Sequence, residues 1–379
     1  MTLKYPITQL GEVCDVLDSK RRPITKRDRI GGDFPYYGAT GILDYVEGFL
    51  FDEPLVLIGE DGAKWGAGEN TAFRAEGQYW VNNHAHVIRP HRHKVLDAWL
   101  IYQLNLADLS PFITGLTVPK LNQAKMREIP ILVPPLVEQR RIVAVLDKAF
   151  AGIATATANA QKNLTNARAL FDRYLQNILI TRGDGWTDQP IRTLSETALG
   201  KMLDKQKNKG ELRPYLRNIN VRWFEFDLND LLHMRFEPNE TARYSVIRGD
   251  VVICEGGYPG RAAIWAADDP IFYQKALHRV RFRHSVMANW FVYILHQANA
   301  TGDLKQHFTG SGIQHFTGQA LRKFEIPVPP LDQLPCLIAG LDMVYMKTNL
   351  AIAKYKRKLS ILTELKQSLL HKAFAGALT

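Results

Sequence analysis

Two stretches, Val56-Leu-Ile-Gly-Glu-Asp-Gly62 and Val251-Val-Ile-Cys-Glu-Gly-Gly257, are one pattern written twice, at an offset of 195 residues. At the same offset Thr114-Gly115 falls on Thr309-Gly310 and Leu146-Asp147 falls on Leu341-Asp342. Val133-Pro-Pro-Leu136 likewise falls on Val328-Pro-Pro-Leu331, with Arg127 on Arg322 ahead of it. With small gaps, Trp99-Leu-Ile-Tyr102 matches Trp290-Phe-Val-Tyr293, and Leu10-Gly-Glu12 matches Leu194-Ser-Glu196. Matches that keep one order along the chain mark the duplication of a whole module, since solenoid units run only ~20–50 residues.

Each module has two textures. Residues 1–130 and 183–325 are rich in glycine, aromatic and β-branched residues. Leu55-Val-Leu-Ile58, Ala85-His-Val-Ile88 and Val251-Val-Ile-Cys254 read there as short strands between turns, and Trp99–Leu106 and Trp290–Gln297 as short helices. Segments 131–182 and 326–379 begin with the Pro-Pro hinges, which cannot lie inside a helix. From Glu138 to about Ile180 there is no proline, and Leu146, Ala149, Ile153, Ala156, Ala160, Leu164, Ala167, Phe171, Tyr174 and Ile178 recur by threes and fours. That spacing predicts one helix roughly 65 Å long, at ~1.5 Å per residue. From Pro335 to about Ala375, Leu341, Val344, Ala351, Tyr355, Leu362 and Leu369 predict its partner in a two-stranded coiled coil. Arg182-Gly-Asp-Gly-Trp186 reads as the hinge between modules.

Composition narrows the class. The chain has 379 residues, 46% hydrophobic and 23% charged, which excludes global disorder. No run approaches the ~18 consecutive apolar residues of a membrane helix, so no membrane is expected. The start lacks the pattern of a signal peptide. Cys14, Cys254 and Cys336 make no disulfide framework, and a reducing, cytoplasmic location is expected. Lys and Arg number 48 against 38 Asp and Glu, a surplus of +10 that points to a polyanionic partner.

The basic residues cluster in the globular parts, with aromatic residues among them. Lys20, Arg21, Arg22, Lys26, Arg27, Lys64 and Trp65 lie in the first. Lys201, Lys205, Lys207, Arg217, Tyr258, Arg261 and Arg279 lie in the second. Lys and Arg neutralise phosphates and Arg reads guanine edges, so nucleic acid is the expected ligand. Lys120 and His315 end the loops that begin at Thr114-Gly115 and Thr309-Gly310, and are expected to face DNA. On the distal helix Lys347, Lys354, Lys356, Arg357, Lys358, Lys366 and Lys372 form either a contact for DNA or an acidic partner, or a solvated outer face.

Signatures of catalysis are missing: no phosphate-binding loop, no Gly-x-Ser-x-Gly elbow, no adenine-methyltransferase tetrad. Glu364-Leu-Lys366 lacks the preceding acid a nuclease would need. His84, His86, His91 and His93 lack further ligands at metal spacing, and His84 and His86 are expected to share a strand face. Glu60 and Glu255 are expected to bond backbone donors in a turn. Catalytic residues, metal and cofactor are therefore all expected to be none. A stand-alone DNA-modifying enzyme with unfamiliar motifs, and a scaffold that binds no DNA, remain open alternatives.

Two modules, each ending in Val-Pro-Pro-Leu and a long helix, resemble the specificity subunits of type I restriction–modification systems. Tyr36-Tyr-Gly-Ala-Thr-Gly-Ile42, Leu57-Ile-Gly-Glu-Asp-Gly62, Thr114-Gly115 and Ile131-Leu-Val-Pro-Pro-Leu-Val-Glu-Gln139 carry the resemblance. It implies an α+β fold with an internal pseudo-twofold repeat. Residues 1–130 and 183–325 would be two target-recognition domains of mixed short strands and helices. Residues 131–182 and 326–379, the hinges and long helices, would form an antiparallel coiled coil between them. It also implies a non-catalytic subunit bound to double-stranded DNA, each domain reading half of an asymmetric bipartite target. The helices would set the spacer and dock two methyltransferase subunits, with restriction subunits joining through those. A related two-module restriction system is the nearest alternative. One departure is that Glu138-Gln139 becomes Gln333-Leu334, followed by Pro335, so the second hinge is expected to make different polar contacts with a methyltransferase subunit.

Overall fold

A computed structural model describes residues 5–115, 117–204, 206 and 208–378. It divides into two compact units, residues 1–162 with 356–379, and residues 163–355. Each unit takes one globular part and a portion of each long helix.

The first unit is built on Leu55-Val-Leu-Ile-Gly59, every residue of which is buried. Side chains alternate across a strand, and here both faces are covered. Val56 and Ile58 pack with Trp99, Leu100 and Met126, while Leu55 and Leu57 pack with Tyr79 and Val81. The strand therefore reads as a continuous apolar run rather than an alternating one. Its antiparallel sheet has the order Cys14–Val16, Ala85–Pro90, Leu55–Gly59, Ala72–Ala75. A second sheet has the order Gly41–Val46, Gly31–Gly38, Gln78–Val81, Phe51–Asp52, with Tyr36 parallel to Trp80.

The second unit repeats this topology. Val251–Cys254 is wholly buried and sits third in the order Ser195–Leu199, Leu277–Phe282, Val251–Cys254, Ala262–Ile264. Val251 and Ile253 face one core, Val252 and Cys254 the other. Its second sheet again holds one parallel pair, Tyr215 with Phe272.

Anchors repeat as well. Trp99 Nε1 donates to the Leu132 carbonyl and Trp290 Nε1 to the Pro327 carbonyl, both at 2.7 Å. The Tyr102 hydroxyl bonds Asp147 and the Tyr293 hydroxyl bonds Asp342, tying each short helix to a long one. The short helices run Asp97–Leu106 and Val286–Thr301. The second exceeds its expected span at both ends, and Gly302, left-handed at φ 87°, sets where it stops.

The long helices span Leu136–Thr181 and Leu334–Phe374. Within the first unit Lys366 lies over the Phe150 ring at 5.6 Å, and within the second Phe171 packs edge-on against Tyr345 at 5.2 Å. The seam of the first helix follows the expected positions through Leu164, Ala167 and Phe171, then passes to Leu175. Tyr174 is 38% exposed, yet its hydroxyl lies 3.2 Å from where a Cβ on Gly340 of the second long helix would stand, so it still borders the seam. Each helix also holds an 18-residue window of mean hydropathy 1.2 or 1.3, long and apolar enough by composition to cross a membrane. Neither is an unbroken apolar run: Asp147-Lys148 interrupts the first, Asp342 and Lys347 the second.

The hinge departure has a structural cause. Gln139 is fully buried and accepts from the Leu96 amide at 2.9 Å while donating to the Lys94 and Pro134 carbonyls at 2.8 Å each. It clamps the turn and has no surface to offer a partner. Its counterpart Leu334 is equally buried, in an apolar core. Replacing Gln139 by Leu would strand three backbone groups, at ~1–3 kcal/mol for each buried group left unmatched. We expect urea denaturation of Gln139→Leu to show a loss on the order of 3 kcal/mol or more.

Candidate nucleic-acid interface

Both central strands end on an acid, Glu60 and Glu255. On the adjacent strand, His86 stands opposite Ile58 and His278 opposite Ile253, so the two histidines occupy the same register. Above them lie two hairpins, at Thr114–Lys120 and Thr309–His315. Thr114 pairs with Lys120, and Thr309 with His315, in antiparallel bridges. Gly115 and Gly310 turn them at φ 91° and 105°. A Cβ there would meet the Val118 carbonyl oxygen at 2.4 Å or the Ile313 carbonyl oxygen at 2.3 Å, so only glycine fits.

The first unit surrounds its histidine with charge. His86 is 1% exposed; its Nδ1 meets Asp18 Oδ2 at 2.6 Å and its Nε2 meets the Leu121 carbonyl at 2.7 Å. Asp18 also accepts from the Val87 amide at 2.8 Å and receives the Arg21 guanidinium at 3.4 Å. Glu60 pairs with Arg21 and, at 2.7 Å, with Lys120. His84 bonds Asp61. Burial pushes the Asp18 carboxyl up, but His86, the Val87 amide and Arg21 outweigh it and hold it below the usual range. Glu60 is likewise pushed up by burial and drawn down further by Lys120, Arg21 and His86.

Asp18, Glu60 and His86 bring three metal-type donors within 4.8 Å of one another. The donor chemistry does not fit an ion. Both nitrogens of His86 face acceptors, so the ring satisfies both only by donating from both, which leaves no lone pair for a metal. Arg21 and Lys120 already supply the cations the carboxylates need.

In the second unit His278 is 2% exposed and its Nε2 meets the Phe316 carbonyl at 3.0 Å. Leu199, opposite His278 in the ladder, lies where the first unit has Asp18: each follows by two residues a matched strand position, Thr197 or Val16. Burial pushes the His278 imidazole to lower basicity, partly opposed by Glu255.

The structure sorts the basic residues. Lys20, Arg22, Lys26, Arg27 and Lys64 are exposed. Arg21 and Lys120, far apart in sequence, meet on Glu60. Arg217 pairs with Asp230 at 2.6 Å. Arg261 lies 3.8 Å from the centre of the Tyr258 ring and donates to the Asn218 carbonyl at 2.9 Å. Tyr258 is exposed and His315 half-buried. Trp65 donates to the Gly59 carbonyl at 3.0 Å and packs on the core. Lys205 and Lys207 lie outside the described residues. On the distal helix Lys347, Lys354, Lys356, Arg357, Lys358, Lys366 and Lys372 are all exposed.

Several expectations need correction. Lys201 is buried, bonded to the Arg235 carbonyl at 3.0 Å and to Glu240. Arg279 is buried, donating to the Ser245 and Ala242 carbonyls at 2.8 and 3.2 Å. Arg21 is turned into the Asp18–Glu60 network. In Lys201 and Arg279 the charge is withdrawn from the surface as well as bonded within the fold. Glu60 bonds side-chain cations rather than turn amides. His84 precedes the strand Ala85–Pro90, so it shares no strand face with His86. The sequence reading assigned no role here to Asp18 or His278; its hints of this site were the matching positions of Glu60 and Glu255 and of the two Thr-Gly loops.

The family profile described as "Type I restriction modification DNA specificity domain" matches residues 4–166. A type I restriction enzyme specificity subunit of Haemophilus influenzae is 27% identical over 354 residues, 90% of this chain and 87% of that protein. Among solved structures, a chain from work on complex assembly and conformational transition of the type I R-M system superposes with a TM-score of 0.73 at 18% identity, covering 100% of both chains. The HsdS subunit of Thermoanaerobacter tengcongensis superposes with a TM-score of 0.63 at 18% identity, covering 99% of this chain and 97% of its own.

Acid tests the network. Asp18 and Glu60 have folded values below their unfolded ones of ~4. Their contribution is therefore complete above that range and lost as pH falls toward the folded values. Wild type should exceed Asp18→Asn in unfolding free energy at pH 7, and the gap should shrink below about pH 4. Paired denaturant titrations at the two pH values measure it.

Proposed function

This chain belongs to the family of type I restriction–modification specificity subunits, and from that premise we propose how it reads DNA. It is a DNA target-recognition subunit of a family whose members are generally non-catalytic. Residues 1–130 and 183–325 act as its two recognition domains, each reading one half of a bipartite target. The observation that carries this is the duplicated strand-end site, the same histidine and the same hairpin set in two different side-chain environments. Different surroundings imply different half-sites, hence an asymmetric target.

The exposed cations Lys20, Arg22, Lys26, Arg27 and Lys64, together with Arg217, Tyr258, Arg261, Lys120 and His315, contact the duplex. The Leu136–Thr181 and Leu334–Phe374 helices dock two methyltransferase subunits and set the spacer between half-sites. Catalysis resides in those subunits and in restriction subunits that join through them, in the cytoplasm. A chain of the same fold comes from work on complex assembly of the type I R-M system, which supports methyltransferase and restriction subunits as partners in general.

The test is the methylated motif of a host carrying this chain with its methyltransferase subunits. Methylome sequencing should return two unequal half-sites around an unread spacer; a continuous or symmetric motif would overturn the reading. Incubated alone with DNA, S-adenosylmethionine and Mg²⁺, the chain should yield no product. Affinity of the assembled complex should fall by ~0.9 log units per log unit of salt for each phosphate neutralised. Arg22→Ala should cost ~1–3 kcal/mol of binding with relaxed specificity if Arg22 reads a base, and only lower the salt slope if it meets phosphate.

A further inference from the structure

We propose that His86 and His278 are positioning residues that lock the Thr–Gly hairpins to the ends of the central strands and so hold the hairpin tips against DNA. The inference rests on the DNA-reading function above and adds to it the element that sets the tip.

The lock is a pair of hydrogen bonds made twice. In the first unit the Leu121 amide donates to the Glu60 carbonyl at 2.8 Å, and the Leu121 carbonyl accepts from His86 Nε2 at 2.7 Å. In the second the Phe316 amide donates to the Glu255 carbonyl at 2.7 Å, and the Phe316 carbonyl accepts from His278 Nε2 at 3.0 Å. Leu121 and Phe316 directly follow the hairpins, so each hairpin leaves the sheet from a residue fixed on both its polar groups. Both are fully buried, as both histidines nearly are, and water cannot substitute for the imidazole. The hairpins themselves are short and closed by the Thr114–Lys120 and Thr309–His315 bridges. Fixing the exit therefore fixes the tip.

The tips match as well. Val118 is 66% exposed and Ile313 is 73% exposed, at the same position of the two hairpins. A branched apolar side chain held out on a rigid turn is unfavourable in water and suits contact with base edges or a thymine methyl. The last hairpin residue differs, Lys120 in one unit and His315 in the other. Each hairpin thus pairs a constant apolar tip with a variable base.

His278 is the cleaner site to vary, because no carboxylate bonds its ring among the described residues. The test uses His278→Leu and His278→Gln in the full chain, the glutamine keeping a side-chain donor near the position of Nε2. Hydrogen exchange on the DNA-free chain reads the lock alone. Amides of 309–316 should exchange on the order of tenfold faster in His278→Leu, while 113–121 stay unchanged and His278→Gln stays near wild type. With methyltransferase subunits bound, affinity is then measured for the cognate duplex and for duplexes altered in one or the other half-site. His278→Leu should lose discrimination by about tenfold in one half-site only, and His278→Gln should recover it. Unaltered exchange in His278→Leu overturns the lock. Faster exchange with intact discrimination overturns the positioning role. Failure of wild type to discriminate in either half refutes the DNA-reading function, and with it the positioning role, while the exchange result still decides the lock.

Discussion

Each unit is organised around a central strand with no solvent face. Because Leu55–Gly59 and Val251–Cys254 are covered on both sides, every polar backbone group at their ends needs a partner from the protein. Those partners come from the far side of the chain: the His84 carbonyl accepts from the Glu60 amide, and the Leu121 amide donates to the Glu60 carbonyl. In the second unit the Ala276 carbonyl and the Phe316 amide do the same for Glu255. The need to satisfy a buried strand end draws the hairpin down onto the sheet. A site forms where the apolar core stops.

The same backbone requirement is met by different electrostatics. The first unit surrounds its histidine with two carboxylates, a guanidinium and an ammonium, all partly or wholly withdrawn from water. Such a cluster is stable only while its members are present together, since losing one leaves another buried and unmatched. The second unit places Leu199 where that cluster begins and leaves an imidazole of lowered basicity bonded to a carbonyl. The first hairpin is thus held partly by charge, the second almost entirely by neutral hydrogen bonds and apolar packing. Salt and acid act on the two unequally.

The duplication, the two-texture modules, the Pro-Pro hinges and the long helices were legible in the sequence, because each rests on local signals: apolar runs, proline, and spacing by threes and fours. The site was legible only in outline. Lys201 and Arg279 read as free cations because a sequence displays charges without their partners, and the Glu240 carboxylate and Ser245 carbonyl that take them lie dozens of residues away. His86 gave no ligand signal because Asp18, its partner, is 68 residues earlier. Gln139 read as a docking contact, yet it is a buried clamp. The distinction depends on whether three backbone groups converge on it, which only the fold determines.

Comparing the two copies separates what the scaffold requires from what it can vary. The indole-to-carbonyl bonds of Trp99 and Trp290, the Tyr–Asp pairs onto the long helices, the left-handed glycines and the histidine-to-carbonyl bonds occur in both units. All of them fix backbone or a whole helix in place. What differs is side chain on that frame: Asp18 against Leu199, Lys120 against His315, Gln139 against Leu334. A substitution of the second kind changes charge or hydrogen bonding around a frame that both copies share, as Asp18 does beside the hairpin and Gln139 does in a buried turn. One of the first kind releases an element. The indole and imidazole bonds run to main-chain carbonyls and the tyrosine bonds to a carboxylate of a long helix. The frame they hold therefore depends on a few donor side chains and leaves the residues around them free to differ.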